Sequence, residues 1–327
     1  MIKSAFLGSK ERIERVFSSE QVARLSGLTD LYPQVVSGDE IEGCGDALAE
    51  VEVIVSTWGM PLLSDGQLSR LPNLKLVLYA AGDVRGFAAP LIERGVTIVS
   101  AWRANALPVA EFTLAHVLLA GKAYLRNESD YRTSRNFHSC RVGPGNRGEV
   151  LALLGAGAVA RTLIELMRPF DWKVIVADPY LSDDEAQRLG VAKVSMEQAF
   201  QHGFVVSNHV PNNEETKGLI HGNLLASMRM GATFINTGRG QSVLQNDFVK
   251  VFRDRIDLTA VLDVTDPEPL PPDSDLWQLP NVFVSSHIAG SSGNEVGRMA
   301  ELCLDELERY LAGAPLEHVT PSRSLVP

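Results

Sequence analysis

The stretch Leu151-Ala152-Leu153-Leu154-Gly155-Ala156-Gly157-Ala158-Val159-Ala160-Arg161 decides the fold. Its apolar run predicts a buried strand, its glycines a tight turn, and the pattern from Thr162 to Met167 a helix leaving the turn. The glycines read G-x-G-x-x-A. Gly155 allows the sharp turn, Gly157 lets a pyrophosphate approach the backbone, and Ala160 is small enough for the helix to pack on the strand. The start of that helix offers free N–H groups and a positive dipole end to phosphates.

The next predicted strand, Trp172 to Ala177, ends at Asp178. An acidic residue about twenty positions past the glycines is where a dinucleotide fold grips the adenosine ribose hydroxyls. Pro179 and Tyr180 follow it, not Arg or Lys, so the pattern favours NAD over NADP.

Around this nucleus the chain has 327 residues, which suggests two domains. At 45% hydrophobic and 21% charged, it has the composition of a globular enzyme with ample material for two cores. The net charge of −10 comes with no dense Lys/Arg run, which argues against nucleic-acid binding. Cys44, Cys140 and Cys303 are too few and too scattered for a disulfide framework or a zinc site. The N-terminus lacks the apolar region of a signal peptide, and no run approaches the length of a membrane span. The expectation is a cytoplasmic protein with no membrane partner and no metal.

Strands are predicted at Ile2–Leu7, Val51–Ser56, Leu74–Tyr79 and Val96–Val99, with a weaker one at Tyr32–Val36. Glu11 to Leu25 reads as a helix between the first two. Such alternation implies a parallel sheet covered by helices, and it starts again at Leu151. A long helix is predicted over Asn105–Leu125, with Pro108 in its first turn and apolar residues on more than one side. Arg126 to Gly148 reads as a polar, irregular crossing. Further strands are predicted at Phe204–Ser207, Ala232–Thr237, Leu258–Val264 and Val282–His287. A final helix is expected over Glu295–Leu311, and the tail after Pro315 shows no structural signal.

Three of the late strands run out into Arg239, Glu268 and His287. In a parallel sheet those ends lie on the side of the glycine turn. Their chemistry is complementary. The planar fork of an arginine suits the carboxylate of a 2-hydroxy acid. A histidine can take the hydroxyl proton as a hydride leaves the same carbon, and a carboxylate beside it orients the ring. The glycines on either side of Arg239 are expected to let substrate approach the backbone.

The chain resembles the NAD-dependent D-isomer-specific 2-hydroxyacid dehydrogenases over nearly its whole length. The segments that carry the resemblance begin with the glycine turn and Asp178, then His209-Val210-Pro211 with Thr216-Lys217-Gly218-Leu219-Ile220. They continue with Ile235-Asn236-Thr237-Gly238-Arg239-Gly240, Leu262-Asp263-Val264 with Pro267-Glu268-Pro269-Leu270, and His287-Ile288-Ala289-Gly290. The resemblance implies an α/β fold of two doubly wound parallel-sheet domains. One is a flavodoxin-like substrate domain (1–103 plus 290–327), the other a Rossmann-type NAD-binding domain (104–289), and the last helix returns to the first.

It implies catalysis by Arg239, Glu268 and His287. It also implies cofactor contacts from Gly155, Gly157, Ala158, Val159, Asp178, His209, Val210, Pro211, Thr216, Thr237, Gly238 and Val109, with Asp263 approaching the nicotinamide carboxamide. The loop Ala81-Gly82-Asp83 and Arg239 are implied for substrate, and the helix near 105–125 for a homodimer. Glyoxylate- or hydroxypyruvate-like acids are the implied substrates. A dinucleotide-sensing protein like the family's corepressors, or a formate- or phosphite-type dehydrogenase, are the alternatives. Formate-type relatives carry glutamine where Glu268 stands.

This sequence departs from the family pattern in three places. Ala158 replaces a common arginine, Asn212-Asn213 stands where a threonine is frequent, and Asp83 sits in a loop expected to face an anion.

Overall fold

The computed structural model describes residues 1–320. Residues 321–327, which the sequence reading assigns to the substrate domain, lie outside the described residues. The chain divides into two compact units, Met1–Asn105 with Ser291–Pro327, and Ala106–Gly290.

The first unit is built on five parallel strands: β1 (Lys3–Phe6), β2 (Asp30–Leu31), β3 (Val51–Ser56), β4 (Leu76–Tyr79) and β5 (Thr97–Ser100). They lie in the order β2-β1-β3-β4-β5. Alternate residues point to opposite faces, and both faces are covered. Ala5, Ile54, Val77 and Ile98 pack into one core. Phe6, Val55, Leu78 and Val99 pack into the other, under the helix Gly297–Leu311.

The predicted helix over Glu11–Leu25 is two helices, Lys10–Val16 and Ser19–Leu28. Ser18 starts the second: its hydroxyl accepts from Gln21 N and its N–H donates to Gln21 Oε1. That reciprocal cap outweighs the continuous apolar spacing. Tyr32–Val36 is not a strand. The paired residues are Asp30 and Leu31, with a single bridge from Val36 to Leu7.

Within the tail after Pro315, the described residues 316–320 are held against the first unit, contrary to expectation. Glu306, 1% exposed, accepts from the N–H groups of Glu317 (3.0 Å) and His318 (3.3 Å). Val319 then bridges Val99 in antiparallel sense at the edge of the sheet. A charged residue within a helix gave no sign that it would hold a terminal segment.

The second unit contains β6 (Arg147–Leu154), β7 (Asp171–Ala177), β8 (Ala192–Lys193), β9 (Val205–Asn208), β10 (Thr233–Asn236), β11 (Thr259–Leu262) and β12 (Val282–Val284). All pair in parallel, in the order β12-β11-β10-β9-β6-β7-β8. Leu151, Ala152, Leu153 and Leu154 of the central β6 are fully buried, as a parallel strand covered on both faces must be. The order reverses between β6 and β9, which opens a crevice at the carboxyl ends of those two strands.

The long helix spans Trp102–Gly121, so Pro108 falls beyond its first turn. By length and composition this helix is long and apolar enough to cross a membrane, contrary to the expectation that no stretch is. Ala110, Val117 and Ala120 are nevertheless buried in the second unit's core. The segment read as irregular contains a further helix, Tyr124–Ser134. It has little apolar periodicity. Instead Arg126 of this helix donates to Pro280 O, and Asp130 pairs with Arg141.

Candidate functional site

The second unit carries two groups of functional residues at the carboxyl ends of its strands. The first lines the crevice between β6 and β9. Gly155, which follows β6, has φ +91°, and a Cβ there would meet His209 O at 3.0 Å. A side chain would therefore be both strained and obstructed. Where a Cβ on Gly157 would stand, nothing lies within 4 Å, so a phosphate can come close to the backbone. Ala158 and Val159 open the helix Ala158–Met167, and buried Ala160 packs it onto the sheet.

Asp178 reads the turn directly. Its Oδ2 accepts from Ala156 N and its Oδ1 from Tyr180 N, each at 2.7 Å. A cavity of about 760 Å³ stands over these residues and is also lined by His209, Val210, Pro211 and Thr216. Its volume is that of a small-molecule site. Glycine turn, open phosphate approach and ribose-side carboxylate together fit a dinucleotide.

Thr216 closes the turn after Pro211, donating to Pro211 O at 2.6 Å. His209 is held by Ser207 Oγ, 2.9 Å from its Nε2, with Thr237 Oγ1 3.4 Å from its Nδ1. Thr237 in turn lies 3.5 Å from Thr113 Oγ1, which donates to Val109 O. Val109, His209 and Thr237 are thereby brought together.

Burial pushes the His209 imidazole down to about 4, so it is neutral in the folded protein. In an unfolded chain it titrates near ~6.5. Below that pH the unfolded state takes up a proton that the folded state refuses. Stability from this group is thus whole above ~6.5 and is lost as pH falls toward the folded value, by up to about 3 kcal/mol. Denaturant unfolding at pH 7.5 and 4.5 reads this directly. His209→Gln is expected to lose less stability on acidification than the wild type, and equal losses contradict the assignment.

The second group sits beyond β10, β11 and β12, which are neighbours in the sheet. Arg239 follows β10, and a buried polar network sets the backbone around it. Asn208 Nδ2 donates to Asn236 Oδ1 (2.9 Å) and Ser242 Oγ (2.8 Å), and Ser242 Oγ donates to Arg239 O (2.7 Å). The flanking glycines do not serve substrate approach, as the sequence suggested. They admit protein backbone: a Cβ on Gly238 would lie 3.1 Å from Asn208 O, and one on Gly240 would collide with the Thr265 backbone. The half-buried Arg239 side chain donates from one guanidinium nitrogen to Gly238 O at 2.8 Å.

Glu268 and His287 meet. Glu268 Oε1 is 2.5 Å from His287 Nδ1, and both side chains are solvent-accessible. His287 has φ +59°, an uncommon conformation for a residue with a Cβ, costing on the order of 1–3 kcal/mol. The offsetting interaction comes from Asp263, 2% exposed. Its Oδ1 accepts from Ser285 Oγ (2.6 Å) and Ile288 N (2.8 Å), and its Oδ2 from Ala289 N (2.9 Å). Asp263 thus fixes the turn that carries the histidine. The sequence reading gave it only a cofactor contact, and it assigned no role to Asn208, Asn236, Ser242 or Ser285.

In the first unit the predicted substrate loop follows β4. Ala81 is buried and its N–H donates to Tyr79 O, so it has no N–H to offer a ligand. Gly82 is half-exposed and its N–H makes no intrachain bond among the described residues. The Asp83 carboxylate is met by Arg85, whose N (3.0 Å) and Nε (2.9 Å) both donate to Oδ1.

The family model for the D-isomer specific 2-hydroxyacid dehydrogenase NAD binding domain matches residues 114–289. A glyoxylate reductase of Korarchaeum cryptofilum is 28% identical over 247 residues, 74% of each chain. A D-3-phosphoglycerate dehydrogenase of Archaeoglobus fulgidus is 25% identical over 256 residues, 78% of this chain. The present chain spans about half of that relative's length, 49%. The fold is that of a phosphoglycerate oxidoreductase from Rhizobium etli, with a TM-score of 0.84 at 22% identity and full coverage of both chains. The glycine turn with its carboxylate, the Glu268–His287 pair and the match across the second unit lead to one conclusion: the chain belongs to the D-isomer-specific 2-hydroxyacid dehydrogenases, a family of NAD-dependent oxidoreductases.

Proposed function

We propose that this chain interconverts a small D-2-hydroxy acid and its 2-keto acid, with His287 as the acid–base group. The observation that carries the reading is the 2.5 Å approach of His287 Nδ1 to Glu268 Oε1. With Nδ1 engaged by the carboxylate, Nε2 is the ring nitrogen that exchanges a proton with the substrate oxygen. In reduction the imidazolium gives its proton to the nascent alkoxide; in oxidation the neutral ring takes the hydroxyl proton. Glu268 steadies the ring and its positive charge. The guanidinium of Arg239 supplies the fork for the substrate carboxylate and polarises the adjacent carbonyl. Gly155, Gly157 and Asp178 would hold NAD, which would supply the hydride acceptor for oxidation at C2 and, reduced, the hydride donor for reduction.

Cofactor choice follows from the cavity wall. Asp178 and Glu215 both line it, and Tyr180 Oη donates to Glu215 Oε2 at 2.9 Å. Two carboxylates there oppose a 2′-phosphate, so NAD is the preferred form. The identity of the Korarchaeum relative as a glyoxylate reductase supports small keto acids such as glyoxylate and hydroxypyruvate as substrates.

The test is steady-state turnover of a panel of 2-keto acids with NADH and with NADPH. NADH oxidation that depends on a 2-keto acid and is faster than NADPH oxidation is expected. NADH binding without turnover of any keto acid would point to a dinucleotide sensor instead.

A further inference from the structure

The glycine turn of the second unit is held by two side chains that lie outside it. Ala156 N donates to Asp178 Oδ2 at 2.7 Å, which fixes the peptide between Gly155 and Ala156. The next peptide, between Ala156 and Gly157, is fixed by Arg161, whose Nε donates to Ala156 O, also at 2.7 Å. Arg161 lies in the helix Ala158–Met167, about one turn beyond the glycines. Its side chain folds back toward the helix start to make that bond.

A trans peptide sets its C=O and the following N–H in opposite directions. With Ala156 O turned to Arg161, the Gly157 N–H points away from that side chain. It donates to no protein acceptor among the described residues. Open space lies beside it, since nothing is within 4 Å of where a Cβ on Gly157 would stand. Arg161 is braced in turn. Its Nη1 is 2.8 Å from Glu185 Oε1 on the helix Asp183–Leu189. Two bonds to separate partners hold the guanidinium in one orientation, and Arg161 lines the cavity over the turn. Because Glu185 answers the charge of Arg161, what the arginine brings to the turn is chiefly geometry.

We propose that Arg161 is a positioning residue for the dinucleotide: by holding Ala156 O it aims the Gly157 N–H at the phosphate-bearing part of the cofactor, and Glu185 keeps it in that posture. The proposal rests on the reading of the turn as the NAD site. It assigns Arg161 an action through the backbone and not through its charge.

The experiment is calorimetric titration with NADH and with ADP-ribose, at low and at high ionic strength. The proteins are the wild type, Arg161→Met, Arg161→Lys and Glu185→Ala, each shown to be folded by denaturant unfolding. Arg161→Met keeps the length of the side chain and removes its donors. It should weaken both ligands at least about fivefold, the worth of one well-made hydrogen bond, and by the same factor at both ionic strengths. Arg161→Lys can still donate to Ala156 O and should recover most of the affinity. Glu185→Ala should weaken binding less than Arg161→Met, because the bond from Nε remains. Wild-type affinity in Arg161→Met overturns the proposal, whether or not stability falls, and so do equal losses in the methionine and lysine variants. A loss that disappears at high ionic strength overturns it too, since that is the mark of a direct charge on the cofactor. A wild type that binds neither ligand overturns the cofactor reading as well.

Discussion

His287→Ala is expected to lower kcat for keto-acid reduction by about 10²–10⁴-fold, the usual contribution of a positioned acid–base group. NADH affinity should be unchanged, because His287 lies beyond β12 and the glycine turn follows β6, four strands away in the sheet. Calorimetric titration with NADH separates the two effects. Glu268→Gln should fall between the variant and the wild type. The amide keeps the shape and an acceptor for the ring but loses the charge that favours the imidazolium. A His287→Ala enzyme that keeps wild-type kcat would remove the histidine from the chemistry. One that loses NADH binding would mean that the ring serves the cofactor site.

Asp263→Asn is expected to damage both stability and activity. The carboxylate accepts three hydrogen bonds, two of them from the backbone of the turn behind His287. An amide in its place turns an N–H toward a backbone or hydroxyl donor, most simply that of Ala289. Hydrogen bonds to a charged group contribute about 1.5–3 kcal/mol each, and a buried donor left without a partner adds its desolvation cost. A loss of about 2–4 kcal/mol in unfolding free energy is therefore expected. With the turn released, the positive φ of His287 is no longer enforced and kcat should fall with it. Denaturant unfolding and steady-state kinetics on the same preparation check both. Wild-type stability in Asp263→Asn would show that the turn holds itself.

Much of this was legible in the sequence, for identifiable reasons. The strands of both units are short apolar runs that end in polar or glycine-rich loops, and parallel sheets make such runs easy to read. The glycine turn was legible because Gly155 answers to local backbone geometry. The Glu268–His287 pair could be anticipated from strand-end position and chemistry, and later from family resemblance. Asp263 could not be given its role, because its partners at Ser285, Ile288 and Ala289 are set by how β11 and β12 pair. The glycines around Arg239 were misread for the same reason, since the backbone of Thr265 is what excludes a side chain at Gly240. The helix Tyr124–Ser134 escaped notice because charged and polar contacts hold it, as in the Glu128–Arg132 and Asp130–Arg141 pairs.

The central claim is hydride transfer at C2 of a 2-keto acid with one-sided proton delivery from His287. It is tested most directly by running the reduction of hydroxypyruvate with NADH deuterated at C4 of the nicotinamide and examining the product. Glycerate of D configuration carrying deuterium at C2 is the expected result. Product of L configuration, or D-glycerate with only protium at C2 from both C4-deuterated epimers of NADH, would contradict it.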